Sequence, residues 1–152
     1  MKLSPAMQAL IAEHRLGFVA TVNADGSPNL SPKGTFVVLD DEHIAFLDIR
    51  SPGTSKNLAS GSAVEVNFVD PISRKGFRFK GHAQVLESGD PACERLVQAE
   101  PLLARPADRY KALVVIAVER AAPLVSPAYD TGASEAEVSA TWRERFRKLV
   151  GL

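Results

Sequence analysis

The sequence predicts an antiparallel β-barrel with short helices packed on its outside, mainly β with some α, folded as a single domain over residues 1–152. Three observations carry that prediction. Six strand-like runs follow one another in hairpin-like succession, the helices between them are brief, and no regular alternation of strand and long helix supports a parallel doubly wound sheet. A chain of 152 residues with 45% hydrophobic and 24% charged residues is also long enough and apolar enough to bury one core.

The elements follow in order. Ser4 to Arg15 reads as an N-terminal helix within residues 1–16: Ser4 caps it, Pro5 suits its first position, Met7, Leu10, Ile11 and His14 share a face, and Gly17 stops it. Phe18 to Val22 is a short β-branched run, and Asn23-Ala24-Asp25-Gly26-Ser27-Pro28 is a hairpin loop. A second strand runs from Asn29 to Leu39, with Pro32 marking an edge, a bulge or a place where pairing gives way. Asp40-Asp41-Glu42 turns the chain into a third strand, His43 to Ile49. Arg50-Ser51-Pro52-Gly53 then opens a short helix from Thr54 to Ser60, ended by Gly61.

Val64, Val66 and Phe68 alternate with Glu65 and Asn67, and Asp70-Pro71 turns the chain again. In the run from Phe77 to Leu86, Phe77, Phe79, Gly81, Ala83 and Val85 face one way while Arg78, Lys80, His82 and Gln84 face the other. Asp90 caps a helix from Pro91 to Ala99. Glu100 to Lys111 reads as loop, broken by Pro101 and Pro106, and Ala112 to Glu119 as a central strand buried on both faces. The last helix, residues 134–150, opens with a Ser134/Glu137 capping box and places Val138, Trp142, Phe146, Leu149 and Val150 at core-facing helical spacing.

Composition excludes several function classes. Lys plus Arg equals Asp plus Glu at 18 each, with no basic stripe, so nucleic-acid binding is not expected. A single cysteine, Cys93, rules out an internal disulfide and a multi-cysteine metal site. His14, His43 and His82 lack metal-ligand spacing, so no metal is expected. No run is long and apolar enough for a membrane span or a signal core, and a cytoplasmic protein is the plain expectation. Dinucleotide, P-loop and nucleophile-elbow glycine motifs are absent.

Two stretches hold candidate chemistry. In Arg50-Ser51-Pro52-Gly53-Thr54-Ser55-Lys56-Asn57-Leu58 a strand ends and a glycine-containing loop starts a helix, whose first backbone N–H groups favour an anion. Arg50 and Lys56 add charge, and Ser51, Thr54, Ser55 and Asn57 add hydroxyl and amide donors, which is what a phosphate monoester needs. The competing reading is a plain helix cap with two solvated cations. In Ser31-Pro32-Lys33-Gly34-Thr35-Phe36 the glycine permits close approach of a ligand beside Lys33; the competing reading is a bulge with a surface lysine.

In order along the chain, the DGSP turn, SPKGTF, HIAFLDI, RSPGTSKNL, AVEVNFVD and GFRFKGHAQVLE resemble the FMN-binding split-barrel family of pyridoxamine 5′-phosphate oxidase-like proteins, over about Leu16 to Glu119. The resemblance implies a six-stranded antiparallel split barrel and a homodimer with FMN at the subunit interface. It implies that Arg50, Thr54, Ser55, Lys56 and Asn57 hold the FMN phosphate. Ser31, Pro32 and Lys33, with Asp48 and Ile49 alongside, would then lie near the isoalloxazine ring, and Phe68 would build the pocket wall. It further implies ring cover from the partner's C-terminal region, for which Tyr129 and Trp142 are the candidates, simple packing being the preferred reading of Trp142. The implied activity is an FMN-dependent oxidoreductase acting on a small substrate, with no catalytic residue assigned. The alternatives are a flavin-binding module without turnover, a haem- or F420-binding split barrel, and a plain dimeric interaction domain. The chain is shorter than true pyridoxamine phosphate oxidases and ends Lys148-Leu149-Val150-Gly151-Leu152 rather than with their Arg-Leu-x-Pro type ending, so pyridoxal phosphate synthesis is not expected.

Overall fold

The structure is a computed structural model that describes residues 1–104 and 109–152. Its strands are β1 (Gly17–Val22), β2 (Pro28–Lys33), β3 (Val37–Val38), β4 (His43–Asp48), β5 (Val64–Val69), β6 (Lys75–Glu87) and β7 (Ala112–Val125). All pair antiparallel in one curled sheet of order β2-β1-β5-β6-β7-β4-β3. The helices are α1 (Pro5–His14), α2 (Pro52–Ala59), α3 (Pro91–Ala99), α4 (Pro101–Ala104) and α5 (Glu135–Val150), with a 3₁₀ turn at Pro127–Thr131.

The sheet has seven strands rather than six, because the run 29–39 breaks after Lys33. Pro32 cannot donate to a ladder, and the strand that contains it ends one residue later. The two pieces become opposite edges, β2 and β3, so residues 34–36 span the open seam of a half-barrel. Pro32 sits on an edge strand, one of the three options its chemistry allows. Two further boundaries move. β7 continues to Val125 beside the long β6, and Pro101 opens a helical turn instead of breaking one, since a proline suits the first helical position. Pro106 lies outside the described residues.

Two cores explain which strands are apolar on one face and which on both. Inside the barrel, Phe36, Phe46, Phe68 and Phe79 are fully buried; the Phe36 and Phe68 rings meet edge to face with centroids 4.8 Å apart. Ile11 of α1 reaches this core, and Ser4 caps that helix by accepting from the Met7 N–H at 3.3 Å. The stop signal of α1 is Arg15, in the left-handed region at φ 53°, two residues before the predicted Gly17. On the other side, α3 and α4 cover β3, β4 and β7 through Cys93, Val97, Leu103, Leu47 and Leu113. Burial on both faces is why HIAFLD and ALVVIAV read as unbroken apolar runs.

The C-terminal helix departs from expectation. Its capping box forms as predicted, with Ser134 and Glu137 satisfying each other's backbone N–H groups. Only Val138 and Ser139 are buried, however, while Leu149 and Val150 remain 69% and 67% exposed. Beyond Val138 the stripe is therefore not part of this chain's core. Trp142 is half-buried, with the Arg74 guanidinium over its ring at 3.9 Å. The Tyr129 hydroxyl donates to the Ser73 carbonyl at 2.6 Å, and Lys75 pairs with Glu135 at 2.7 Å. Polar and cation–π contacts, rather than an apolar interface, tie the start of this helix to the β5–β6 turn.

That turn is organised by Asp70, which accepts from the N–H groups of Ile72 and Ser73 at 2.8 and 3.1 Å. Burial works against its charge, but hydrogen bonds from Ser73 and Ile72, with His14 nearby, hold the carboxyl below its ordinary value. A carboxylate shifted downward adds stability above the unfolded-state value of about 4 and loses it as pH falls through the lower folded value. Asp70→Asn is therefore expected to cost about 1 kcal/mol at neutral pH. The gap from the parent chain should close in strong acid when melting temperature is followed against pH.

Candidate functional site

The candidate residues gather where β4 ends and α2 begins, beside edge strand β2. Ser51 holds the N-cap position of α2, yet its side chain makes no cap hydrogen bond. Its hydroxyl instead donates to Asp48 Oδ1 at 2.5 Å, and Ser55, one turn further on, donates to Asp48 Oδ2. Pro52 has no N–H, and the N–H groups of Gly53 and Thr54 find no acceptor in the described chain. Two adjacent amides thus remain open at the positive end of a helix, the arrangement that favours an anion.

The helix has distinct faces. Thr54, Asn57 and Leu58, spaced three and four apart, are buried against β1 and β2, at 2%, 6% and 4% exposure. Asn29 Nδ2 donates to Thr21 Oγ1 at 3.0 Å and to Thr54 Oγ1 at 2.9 Å, while Asn57 Nδ2 donates to Thr21 Oγ1 at 3.0 Å and to Asn23 Oδ1 at 2.9 Å. This buried network locks α2 to the β1–β2 hairpin. It occupies the side-chain donor groups of Asn57 and Asn29 inside the chain. The spacing of 54, 57 and 58 was the available signal for an inward stripe, and Thr21, Asn23 and Asn29 escaped sequence reasoning because single polar residues in a hairpin look solvated. Arg50 and Lys56 are exposed, and among the described residues neither forms an ion pair.

Lys33 is not a surface lysine. It is 8% exposed at the end of β2, donates to Ser31 Oγ at 2.9 Å and lies 5.8 Å from the centre of the Phe46 ring. Burial pushes its ammonium below the usual lysine value, and the Asp48 charge partly offsets this. Asp48 itself is 4% exposed. Pro32, Ile49 and Gly34 face outward, and nothing lies within 4 Å of the position a Gly34 side chain would take. The space beside this backbone is open. Phe68, expected at the pocket wall, points instead into the aromatic core. Tyr129, on the 3₁₀ turn after β7, and Trp142, on α5, contact the β5–β6 turn as described above. Two cavities lie elsewhere. One of about 440 Å³ sits between α1 and the ends of β6 and β7, and one of about 420 Å³ lies beside Val22, Lys80 and His82.

Each histidine has a carboxylate neighbour rather than a metal-ligand set. His14 lies 3.9 Å from Asp70, His43 Nδ1 lies 2.9 Å from Asp40, and His82 Nδ1 lies 2.7 Å from Glu119. Among the described residues no three His, Cys, Asp or Glu side chains are grouped to hold a metal. No helix of the described residues is long and apolar enough to cross a membrane.

The curled antiparallel half-barrel belongs to the FMN-binding split-barrel superfamily. Within it, the chain belongs to the pyridoxamine 5′-phosphate oxidase family, which matches residues 3–124. No curated protein matches the chain. Among solved structures it is similar to HupZ of Group A Streptococcus, at 30% identity over 82% of this chain and 95% of that one, with a TM-score of 0.70. It is also similar to a candidate pyridoxamine 5′-phosphate oxidase of Lactobacillus delbrueckii, at 26% identity over 80% and 93% of the two chains and a TM-score of 0.68. An FMN-binding protein of Syntrophomonas wolfei shares the fold at 18% identity, covering 79% of this chain and 84% of that one, with a TM-score of 0.61.

Proposed function

We propose that the chain binds FMN between two copies of itself and acts as an FMN-dependent oxidoreductase on a small organic substrate. The observation that carries this reading is the uncapped start of α2, where, among the described residues, the amides of Gly53 and Thr54 have no acceptor and the nearby Arg50 and Lys56 have no ion-pair partner. These donors fit a phosphate monoester, and charge-assisted hydrogen bonds to phosphate are the strong kind. Membership of the pyridoxamine 5′-phosphate oxidase family supports a flavin as the rest of that ligand. FMN, when bound, supplies two-electron redox chemistry.

The chain's own part is binding, orientation and electrostatics. Ser31, Pro32 and Lys33 on β2, with Ile49 at the end of β4, flank the open space beside Gly34, where a planar ring can lie against backbone. Lys33 retains N–H groups beyond the one given to Ser31, and a buried ammonium near the ring edge that gains negative charge on reduction stabilises the reduced form. Lys33→Met is therefore expected to leave FMN affinity within a few fold and to make the flavin potential more negative; an unmoved potential places Lys33 away from the ring.

The second copy is supported by apolar side chains left in water. Phe18, Val22, Leu30 and Val69, on β1, β2 and β5, are 41–66% exposed on the outward side of the sheet, and Leu149 and Val150 at the end of α5 are uncovered. A dimer that buries this face supplies the missing half of a ring pocket. Sedimentation of the purified protein tests the dimer, and bleaching of its flavin by a reductant followed by reoxidation with an added acceptor tests turnover. A loaded protein that fails to reoxidise with every acceptor tried favours a flavin-binding module instead.

A further inference from the structure

The loop after β4 contains an anion of its own. Asp48 is 4% exposed, and its two carboxylate oxygens hold the hydroxyls of Ser51 and Ser55. These residues stand at the N-cap and one turn into α2, so the carboxylate lies along the first turn of the helix, on hydroxyls that a docked phosphate would also seek. A hydroxyl carries one hydrogen and gives it to one acceptor at a time. A buried carboxylate stripped of both donors is costly, so an exchange needs a replacement partner. Lys33 fits that role. It is 8% exposed, spends one of its N–H groups on Ser31, forms no ion pair among the described residues, and lies close enough for the Asp48 charge to favour its ammonium form.

We infer that Asp48 is a built-in competitor of phosphate: it holds the Ser51 and Ser55 hydroxyls, and a phosphate docking on the Gly53 and Thr54 amides takes them over while Lys33 turns from Ser31 to Asp48. The inference rests on the phosphate half of the function proposed above. Asp48 then sets how tightly phosphate-bearing ligands are held and how readily they leave. It is a positioning residue that acts through two serines and one lysine.

Asp48→Asn keeps the shape and removes the charge, so it is expected to bind inorganic phosphate and FMN about tenfold more tightly, with riboflavin, which has no phosphate, unchanged. Ser55→Ala is expected to weaken phosphate and FMN about fivefold, again sparing riboflavin, and the gain from Asp48→Asn should shrink when both changes are combined. Amide NMR shifts of Gly53 and Thr54 follow inorganic phosphate, and fluorescence titration follows the two flavins. If Asp48→Asn does not fold, the Ser55→Ala comparison decides alone: selective weakening of phosphate supports the exchange, and unchanged phosphate affinity overturns it. Unchanged or weaker phosphate binding in a folded Asp48→Asn protein overturns the exchange, as does the absence of phosphate-dependent shifts at Gly53 and Thr54 in every protein. A tenfold gain for inorganic phosphate with no FMN binding upholds the exchange and removes the flavin reading, so the two fail separately.

Discussion

An Arg50→Ala, Lys56→Ala double variant is expected to bind FMN at least about 100-fold more weakly than the parent chain. A charge-assisted hydrogen bond contributes about 1.5–3 kcal/mol, and two of them reach two decades of affinity even when solvent screens part of the gain. Both side chains are exposed and neither has an ion-pair partner in the described chain, so their removal leaves no orphaned carboxylate and little effect on folding. Riboflavin affinity should stay within a few fold of the parent value. Equal losses for FMN and riboflavin would mean that these cations act on the ring or on the fold rather than on phosphate. Titration of both flavins against both proteins, with melting temperature as a check on folding, reads the difference.

Gly81→Ala is expected to be the most damaging single methyl in the sheet. A Cβ at this position would lie 1.9 Å from the Ala117 carbonyl oxygen, a backbone atom held in the β6–β7 ladder. The site adjoins the register shift at Lys80/Gly81, where Gly81 pairs with Val118 while Lys80 pairs with Arg120, so Glu119 is the extra residue of a bulge. Relief requires the two longest strands to part, a cost of about 3 kcal/mol or more and a melting temperature lower by about 10 °C. Gly34→Ala makes the control, since nothing lies within 4 Å of its added methyl and its backbone is not in the left-handed region. A Gly81→Ala protein melting with the parent would show that β6 and β7 are not packed as described.

Where one local rule dominates, the sequence is legible. The Ser134/Glu137 box, the Asp90 cap and the alternation in Phe77 to Leu86 each placed an element within a few residues, because a cap or a period-two pattern depends on neighbours in the chain. The split of 29–39 into opposite edges of the sheet depends on where the barrel opens, which Pro32 and Gly34 hint at but cannot locate. Trp142 and Leu149 show the same limit from the other side. Helical spacing tells which residues share a stripe, not whether that stripe meets this chain or another surface.

At the candidate site the loop was legible as a place, and its side chains were less so in their orientation. Arg50 and Lys56 face outward, as a phosphate ligand must, while Thr54 and Asn57 turn into the hairpin network. Asp48 and Lys33 are close to the site, and their buried charges could not be inferred from a motif in which both look like ordinary polar residues. Burial of a charge is decided by strands distant in sequence, here β4 and the broken edge at β2.

In the proposed function, FMN is held by its phosphate at the start of α2. The most direct test is an absorption spectrum of purified protein incubated with FMN, passed through gel filtration, and compared with the Arg50→Ala, Lys56→Ala variant treated identically. A phosphate site there predicts flavin bands that travel with the parent protein at about one per chain and are lost from the variant. A parent protein that emerges colourless, or a variant that keeps its flavin, would contradict it.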